Sequence, residues 1–203
     1  MAQPATMRAY SKGHPSDDFQ TDPEALDSLV PWLYMRRTIW EPAAGNGNLV
    51  RSLAGKGFRV IASDIKGLPV KIGNVNVTNI DRPFDFLTDG LPVAPPAPLT
   101  IITNPPYSLK NEFLARCYEL RVAFALLLPL TVFDSAFRRS LFRRHGVQII
   151  IPDCRLKFTT CNGAHGGGWF MTCWVTWQLH LPRDIVFSSR EELATQLRLS
   201  DDD

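Results

Sequence analysis

The sequence predicts an α/β domain built around a mostly parallel sheet, and three observations lead to that fold class. Short apolar runs alternate with amphipathic stretches along most of the 203 residues. The run Val122–Leu128 is apolar throughout, as in a strand buried on both faces. A glycine-containing turn, Gly45–Gly47, joins a short strand to a helix. Together these patterns predict a central sheet with helices on both faces.

The composition is that of a globular protein with one domain. Hydrophobic residues make up 45% of the chain and charged residues 21%, and the length is enough to bury a core. A formal charge of +2 does not indicate a polyanionic partner, so a nucleic-acid interface would depend on local clusters. We expect a flexible arm at 1–18, one domain at 19–190, and a short helix with an acidic tail at 191–203.

Targeting and metal-binding signals are missing from the sequence. The N-terminus has no apolar export core, and no stretch of about 18 apolar residues occurs. The four cysteines lack CxxC and Cys/His metal spacings, which favours reduced thiols. We therefore expect a cytoplasmic protein that binds neither a membrane nor a metal.

The first predicted helix follows Thr21–Glu24, which has the form of a capping box. Apolar residues then recur at helical spacing, and Pro31 should kink or restart the helix. These apolar positions are Leu26, Leu29, Val30 and Leu33.

The glycine turn follows a strand at Thr38–Glu41 and precedes a helix that ends near Gly57. Gly45 and Gly47 allow positive φ and a close approach of the backbone to a ligand. A dinucleotide fingerprint would need a third glycine where Val50 stands, which argues against NAD or FAD. A phosphate loop would need Lys-Ser/Thr after the glycines, and that pair is missing.

A second strand, Phe58–Ser63, ends at Asp64 and Ile65. An acidic residue at this position binds ribose hydroxyls in Rossmann-like sheets. Residues 66–98 are the least regular part, with a short strand or extended turn at Asn74–Ile80 and an extended proline-rich segment at 91–98.

The central strand, Leu99–Ile102, leads into Asn104-Pro105-Pro106-Tyr107. Two consecutive prolines fix φ and remove two backbone donors, so neither a helix nor a central strand continues there. What remains is a rigid extended platform at the carboxyl end of a strand, where open α/β sheets bind ligands.

The last half of the chain continues the alternation. Helices are predicted at Leu109–Leu120 and Phe133–Arg144, followed by a buried strand at Val147–Ile151. The aromatic run Trp169–Leu179 alternates in part, and with the segment at 152–158 it predicts a C-terminal antiparallel hairpin.

Taken in this order, the motifs resemble those of S-adenosylmethionine-dependent amino-group methyltransferases, above all the phage-type DNA adenine-N6 enzymes. Asn104–Tyr107 resembles their catalytic motif, Glu41–Gly47 their cofactor loop, and Phe84–Leu87 their third cofactor motif. The resemblance runs from about Thr21 to Trp177. It implies a Rossmann-like methyltransferase fold with a C-terminal antiparallel hairpin.

The resemblance also implies S-adenosylmethionine as the cofactor, S-adenosylhomocysteine as the product, and no metal. In the family, a segment matching Thr21 closes over the methionine end, and an acid matching Asp85 accepts from the adenine amino group. A neighbouring ring packs on the purine, and either Phe84 or Phe86 fits that role. The implied cofactor residues are Thr21, Glu41, Pro42, Ala43, Gly45, Gly47, Asp64, Ile65, Asp85, Phe86 and Asn104.

The implied reaction is methyl transfer to the exocyclic N6 of adenine, a poor nucleophile because its lone pair is delocalised. The Asn104 side-chain oxygen and the Pro105 carbonyl are suited to accept both amino hydrogens, which localises that lone pair. Pro106 would stiffen the platform, and Tyr107 would stack on the purine. No general base is required before transfer.

A base in a duplex must be flipped out to reach such a site. Arg155, Lys157 and Phe158 resemble a target-side motif in which the phenylalanine holds the flipped base, although Phe158 also suits a core position. The two basic residues, with the arginines of 138–144, are predicted to contact phosphates, the alternative being a solvated face.

Other interpretations share parts of this pattern. An RNA adenine-N6 methyltransferase and a non-catalytic S-adenosylmethionine-binding subunit both stay open. Release-factor glutamine methyltransferases resemble a longer family with a helical N-terminal domain. Cytosine-C5 enzymes need a Pro-Cys nucleophile, and cytosine-N4 enzymes more often have Ser in place of Asn104. Because no large recognition domain is evident, we expect a monomer or weak homodimer that binds DNA, or RNA, with a possible partner for sequence recognition.

Overall fold

The computed structural model describes residues 19–21, 24–68, 72–92, 98–153, 157–160, 165–167 and 171–188. The expected arm at 1–18 and the expected helix and tail at 191–203 lie outside these residues. Within the described part of the chain, no helix is long and apolar enough to cross a membrane.

Eleven strands and four α-helices are described. The strands are β1 (Phe19–Thr21), β2 (Thr38–Glu41), β3 (Arg59–Ala62), β4 (Val77–Asn79), β5 (Leu99–Thr103), β6 (Ala123–Pro129), β7 (Gln148–Pro152), β8 (Lys157–Thr160), β9 (His165–Gly167), β10 (Thr172–Trp177) and β11 (Ile185–Ser188). The helices are α1 (Glu24–Asp27), α2 (Asn48–Gly55), α3 (Lys110–Leu120) and α4 (Ala136–His145). Short 3-10 helices span Val30–Trp32, Tyr107–Leu109 and Leu130–Asp134.

The central sheet has eight strands in the order β11-β7-β10-β6-β5-β2-β3-β4. All neighbours are parallel except β10, which lies antiparallel between β6 and β7. The fold is therefore the Rossmann-like methyltransferase fold that the sequence predicts, with its C-terminal antiparallel element. The segment at 157–160 is not part of that element, because β7 and β6 are the partners of β10.

Each face of the sheet has its own buried core. On one face α1 and α2 pack through residues such as Leu26 and Leu53, and on the other α3 and α4 pack through Phe113 and Phe142. All residues of β5 and β6 are buried, which confirms the prediction from the apolar run at 122–128. Helices on both faces are likewise confirmed.

A second, three-stranded sheet joins distant parts of the chain, in the order β1-β8-β9. Thr21 pairs with Phe158, and Phe158 pairs with Gly166. Thr21 therefore lies in a strand, and α1 is described from Glu24. The predicted capping box lies outside the described part of the chain, which omits residues 22 and 23 and the side chains of Thr21 and Glu24. Pro31 does mark the predicted restart, since it lies in the 3-10 helix after α1.

Strand β11 was not expected from the sequence. It pairs in parallel with β7, and its residues alternate between exposed and buried. Ile185 and Phe187 are on the exposed side of this edge strand.

The prediction that the arginines of 138–144 contact phosphates is wrong for Arg138. Its guanidinium is buried and donates from Nη1 to Asn111 Oδ1 at 2.7 Å and from Nη2 to the Thr131 carbonyl at 3.2 Å. Its Nε donates to the Val132 carbonyl. Arg138 thus fastens the turn after β6 to α3, because its position on α4 faces inward.

We predict that Arg138→Met lowers the free energy of unfolding by about 2–4 kcal/mol, because buried acceptors lose a charged donor. Urea denaturation measures this loss. The control is Arg144→Met, an exposed change in the same helix, which should shift stability by no more than about 0.5 kcal/mol. Equal losses in the two variants would contradict the structural role of Arg138.

Candidate functional site

The carboxyl ends of β5, β2 and β3 lie side by side in the sheet. Glu41 ends β2, Asp64 follows β3, and Asn104 follows β5 directly. After β2 the chain passes to the face that carries α2, and after β5 to the face that carries α3. This reversal creates a crevice at which open α/β sheets bind ligands.

The glycine turn has the conformation that its sequence predicts. Gly45 has φ 49° and Gly47 has φ 79°, both in the left-handed region. A Cβ atom on Gly47 would lie 2.5 Å from Ile72 Cδ1, so a side chain there would collide with a buried neighbour. The turn therefore depends on glycine at position 47 for both backbone conformation and space.

Two carboxylates hold this turn from opposite sides. Glu41 Oε1 accepts from the Ala43 N–H at 2.9 Å, and Asp64 Oδ2 accepts from the Gly45 N–H at 3.0 Å. Asp64 Oδ1 accepts from the Lys66 N–H at 2.9 Å. From the sequence we expected both acids to bind a ligand, and their contacts add a role in shaping the turn. Each carboxylate oxygen still has lone-pair capacity for a ligand.

Glu41 is 1% exposed, and burial raises its pKa to about 8. The Thr103 hydroxyl and the Ala43 N–H oppose this rise in pKa, while the nearby charge of Asp64 adds to it. At neutral pH the carboxyl is therefore mainly in its neutral form, and a cation placed beside it would favour ionisation.

A hollow beside the turn collects several of the predicted cofactor residues. Its lining is formed by Pro42, Ile65, Phe84, Asp85, Phe86, Leu87 and Phe113. Asp85 is half-buried, and its Oδ1 accepts from the Leu87 N–H at 2.9 Å, which closes a tight turn. The structure thus brings together the turn after β2, the residue after Asp64, and the predicted third motif.

Phe84 and Phe86 are both 2% exposed. Each ring meets Trp40 edge-on, with centroids 5.7 Å and 5.2 Å away, and Phe86 also stacks on Phe113 at 4.8 Å. Most of both rings therefore serves the core. The more accessible apolar side chains of the hollow are Ile65 and Leu87, which are half-buried.

The platform after β5 is extended at Pro106, and a 3-10 helix begins at Tyr107. Pro106 has φ −53° and ψ 123°, and its carbonyl accepts from the Leu109 N–H at 2.9 Å. Asn104 and Tyr107 are half-buried. Lys110 Nζ donates to the Tyr107 carbonyl at 2.8 Å, which fixes the backbone where the platform turns into a helix.

Sequence reasoning missed Arg116, as it missed Lys110. Its Nη2 donates to the Asp89 carbonyl at 2.6 Å and its Nε to the Phe86 carbonyl at 3.2 Å. Glu119 holds the same guanidinium at 2.9 Å. Arg116 therefore ties the turn that contains Asp85 to the helix that follows Asn104. Its partners are mainly backbone carbonyls, which leave no signal in the sequence.

The predicted target-side residues are only partly described. Lys157 and Phe158 lie in β8, and Arg155 lies outside the described residues. Strand pairing sets Phe158 beside Thr21, and β1 in turn contacts α2, the helix that follows the glycine turn. A segment predicted to contact the cofactor and a segment predicted to contact the target base thus belong to the same small sheet.

Among the described residues, no group of three or more His, Cys, Asp or Glu side chains could hold a metal ion. Cys117 and Cys173 are buried, and burial raises the pKa of both thiols, so neither is activated as a nucleophile.

Comparisons with known proteins find no matching family model and no matching curated protein. The chain is similar to the solved structure of the 23S rRNA methyltransferase ErmE, with 15% identity, a TM-score of 0.46, and coverage of 76% of this chain and 66% of that one. A TehB-like SAM-dependent methyltransferase from Corynebacterium glutamicum shows 12% identity and a TM-score of 0.48, over 84% of this chain and 92% of that one.

A putative methyltransferase from Streptococcus mutans in complex with SAH shows 20% identity and a TM-score of 0.41, over 77% of this chain and 98% of that one. At such identities and TM-scores, function has to be argued from the residues of this chain.

We predict that stability falls as pH rises from about 4.5 to about 8 because of Glu41. In this range the unfolded chain releases the proton that the folded chain keeps, so the contribution is complete below the range and lost above it. Glu41→Gln should reduce the slope of unfolding free energy against pH by up to about 1.4 kcal/mol per unit. Urea denaturation at several pH values, with the exposed Asp27→Asn as control, measures the difference. Parallel pH profiles for wild type and Glu41→Gln would contradict it.

We also predict that Gly47→Ala lowers the free energy of unfolding by about 1–3 kcal/mol, because of its positive φ and the contact with Ile72. The matched control is Gly55→Ala, since Gly55 is helical with nothing within 4 Å of an added Cβ. That control should be neutral or up to about 1 kcal/mol more stable. A Gly47→Ala chain as stable as the control would show that the turn tolerates a side chain.

Proposed function

We propose that this chain transfers a methyl group from S-adenosylmethionine to the exocyclic N6 amino group of adenine in DNA. One observation carries the proposal: Asn104–Tyr107 follows β5 at the strand end next to the glycine turn of β2. Neighbouring strands lie about 4.8 Å apart, so an acceptor held at Asn104 would face a group held at the turn. The proposal treats 19–190 as one methyltransferase domain.

The proposed cofactor residues fit an adenosine-containing sulfonium ligand. Gly45 and Gly47 present backbone without a Cβ in the turn, and Asp64 offers lone pairs to ribose hydroxyls. Asp85 and Ile65, which line the hollow, would meet the edge of the adenine ring. When bound, S-adenosylmethionine supplies an electrophilic methyl group.

Glu41 completes this set by its charge state. A buried neutral carboxyl beside the turn gains from ionising when a cation arrives, and the sulfonium and the amino group are both cations. An anionic pyrophosphate would not favour this ionisation. The remaining proposed contacts are with Thr21, Pro42, Ala43, Phe86 and Asn104.

The proposed acceptor chemistry belongs to the platform. The Asn104 amide oxygen and the Pro105 carbonyl would accept the two amino hydrogens and localise the N6 lone pair. Pro106 restricts the backbone, and Lys110 fixes it one residue beyond by holding the Tyr107 carbonyl. Tyr107 would stack on the target base.

The target side of the proposal involves Phe158 for the flipped base, with Lys157 and Arg155 for phosphates. The same chemistry suits adenine in RNA, and a non-catalytic S-adenosylmethionine-binding subunit would keep the turn but not need the platform. A partner or second copy for sequence recognition is part of the proposal.

The test is transfer of labelled methyl from S-adenosylmethionine to unmethylated DNA and, in parallel, to total RNA. We expect label in DNA, recovered as N6-methyladenine. Asn104→Ala should reduce turnover on the order of 10²–10³-fold, the cost of one preorganised hydrogen-bonding group. Because the other proposed cofactor contacts remain, Asn104→Ala should weaken binding of S-adenosylhomocysteine far less than it lowers turnover.

The control is Asn74→Ala, an exposed change in the turn before β4, away from the carboxyl ends of the strands. It should leave turnover unchanged. If label were found only in RNA, the proposed substrate would be RNA and not DNA. If the cofactor bound but no methyl group were transferred, the chain would be a non-catalytic S-adenosylmethionine-binding subunit. Full activity in Asn104→Ala would overturn the assigned role of the platform.

A further inference from the structure

The starting ends of the strands form one continuous, twisted edge opposite the candidate site. Thr38 pairs with both Arg59 and Leu99, and one residue further Thr100 pairs with Ala123. At the other end of the sheet, β11 and β7 begin together. The residues that precede these strands therefore lie in one row across the molecule.

Seven arginines occupy this row, and we call them the basic edge. They are Arg36 and Arg37 before β2, Arg59 at the start of β3, Arg121 before β6, Arg143 and Arg144 at the end of α4, and Arg183 before β11. Arg37 is half-buried and the other six are exposed. Arg143 and Arg144 thus lie at the edge opposite Asn104, because α4 begins near the carboxyl ends of the strands and runs away from them.

Few described carboxylates balance the basic edge. Asp27 is held by Lys56 at 2.8 Å and Glu119 by Arg116 at 2.9 Å, which leaves Asp184. No arginine of the basic edge forms an ion pair with a described carboxylate. The acidic side chains gather instead at the carboxyl ends of the strands: Glu41, Asp64, Asp81, Asp85, Asp89, Glu112, Asp134 and Asp153. Among the described residues, acidic side chains therefore predominate at the carboxyl edge, beside Lys66, Arg82, Lys110 and Arg139, and arginines predominate at the opposite edge.

The dimensions of the basic edge match an extended polyanion. From β11 to β3 the row crosses seven neighbouring strands. Strand spacing of about 4.8 Å gives a length of about 29 Å. One turn of B-form DNA is about 34 Å long, so several phosphates can meet this row at once.

The side-chain chemistry favours phosphate esters. Arginine presents a planar fork that binds phosphate oxygens in pairs, and the basic edge presents seven such groups. Aromatic groups stand among them: Tyr34 is 56% exposed, with the Arg37 guanidinium 5.9 Å from its ring centre. The exposed His145 stacks on Tyr118 at 4.7 Å.

We propose that the basic edge binds the sugar-phosphate backbone of a nucleic acid, at a surface separate from the platform at Asn104. A long nucleic acid held there stays near the molecule and raises its effective concentration at the site on the opposite edge. This surface binds by charge and shape, without reading the sequence of bases.

The test is binding of a fluorescent 30-base-pair DNA duplex, of about three helical turns, at several salt concentrations without cofactor. The variant is Arg143→Gln with Arg144→Gln. Removing two phosphate contacts should weaken binding several-fold at low salt and reduce the slope of log affinity against log salt by about 1.8. The charge-matched control is Lys66→Gln with Arg82→Gln, two exposed cations that follow β3 and β4 and are not among the proposed phosphate contacts.

We expect the control to keep the wild-type salt slope to within about 0.5. If the two double variants lost equal DNA affinity and salt slope, net charge alone would explain the effect, and the proposal would be overturned. Binding to anionic lipid vesicles, with no binding to DNA or RNA, would also overturn it. Because the assay contains no cofactor, a failure of methyl transfer would leave its result unchanged.

Discussion

The rest of the site depends on the hydrogen bonds by which Glu41 and Asp64 hold the backbone of the glycine turn. Their carboxyl oxygens accept the backbone N–H groups of Ala43 and Gly45, so the turn is held between the ends of β2 and β3. Ala44 adds a third link, because its N–H donates to the Ser63 carbonyl at 3.0 Å. With the turn fixed, Pro42 can complete the hollow against the turn that holds Asp85. The cost of burying Glu41 is expressed in its raised pKa.

Sequence alone was enough for the parts of the fold that depend on local patterns. The strand at Thr38–Glu41, the strand predicted at Leu99–Ile102 and the positive φ angles of the glycine turn all follow from residue type and spacing. Strand β11 was not predicted, because its four residues carry little periodic signal and its pairing with β7 decides their structure. The small sheet was not predicted either, because it depends on pairing between β1 and β8, which are far apart in the chain.

The candidate site divides in a similar way. Asp64 and Asn104 have a chemical signature in the amino-acid sequence, and the structure places them at the carboxyl ends of β3 and β5, the two strands that flank β2, while their roles stay predictions. Arg116 and Lys110 have no such signature, because they act on carbonyl groups of the backbone. Arg138 shows the converse error, since an arginine counted as a surface charge is buried among carbonyls. Phe86 fits neither group, because its ring belongs to the core between Trp40 and Phe113 while bordering the hollow.

The insertion of β10 between β6 and β7 has a consequence for the order in which the chain assembles during synthesis. As the chain leaves the ribosome, β6 is complete long before β10, and β7 has no neighbour in the central sheet until β10 arrives. Two apolar strands must therefore wait with open hydrogen-bonding edges, a state prone to aggregation. Trp174 of β10 then donates to the Ala25 carbonyl at 3.0 Å. Strand β10 thus joins β6 to β7 and also fixes α1 to the sheet.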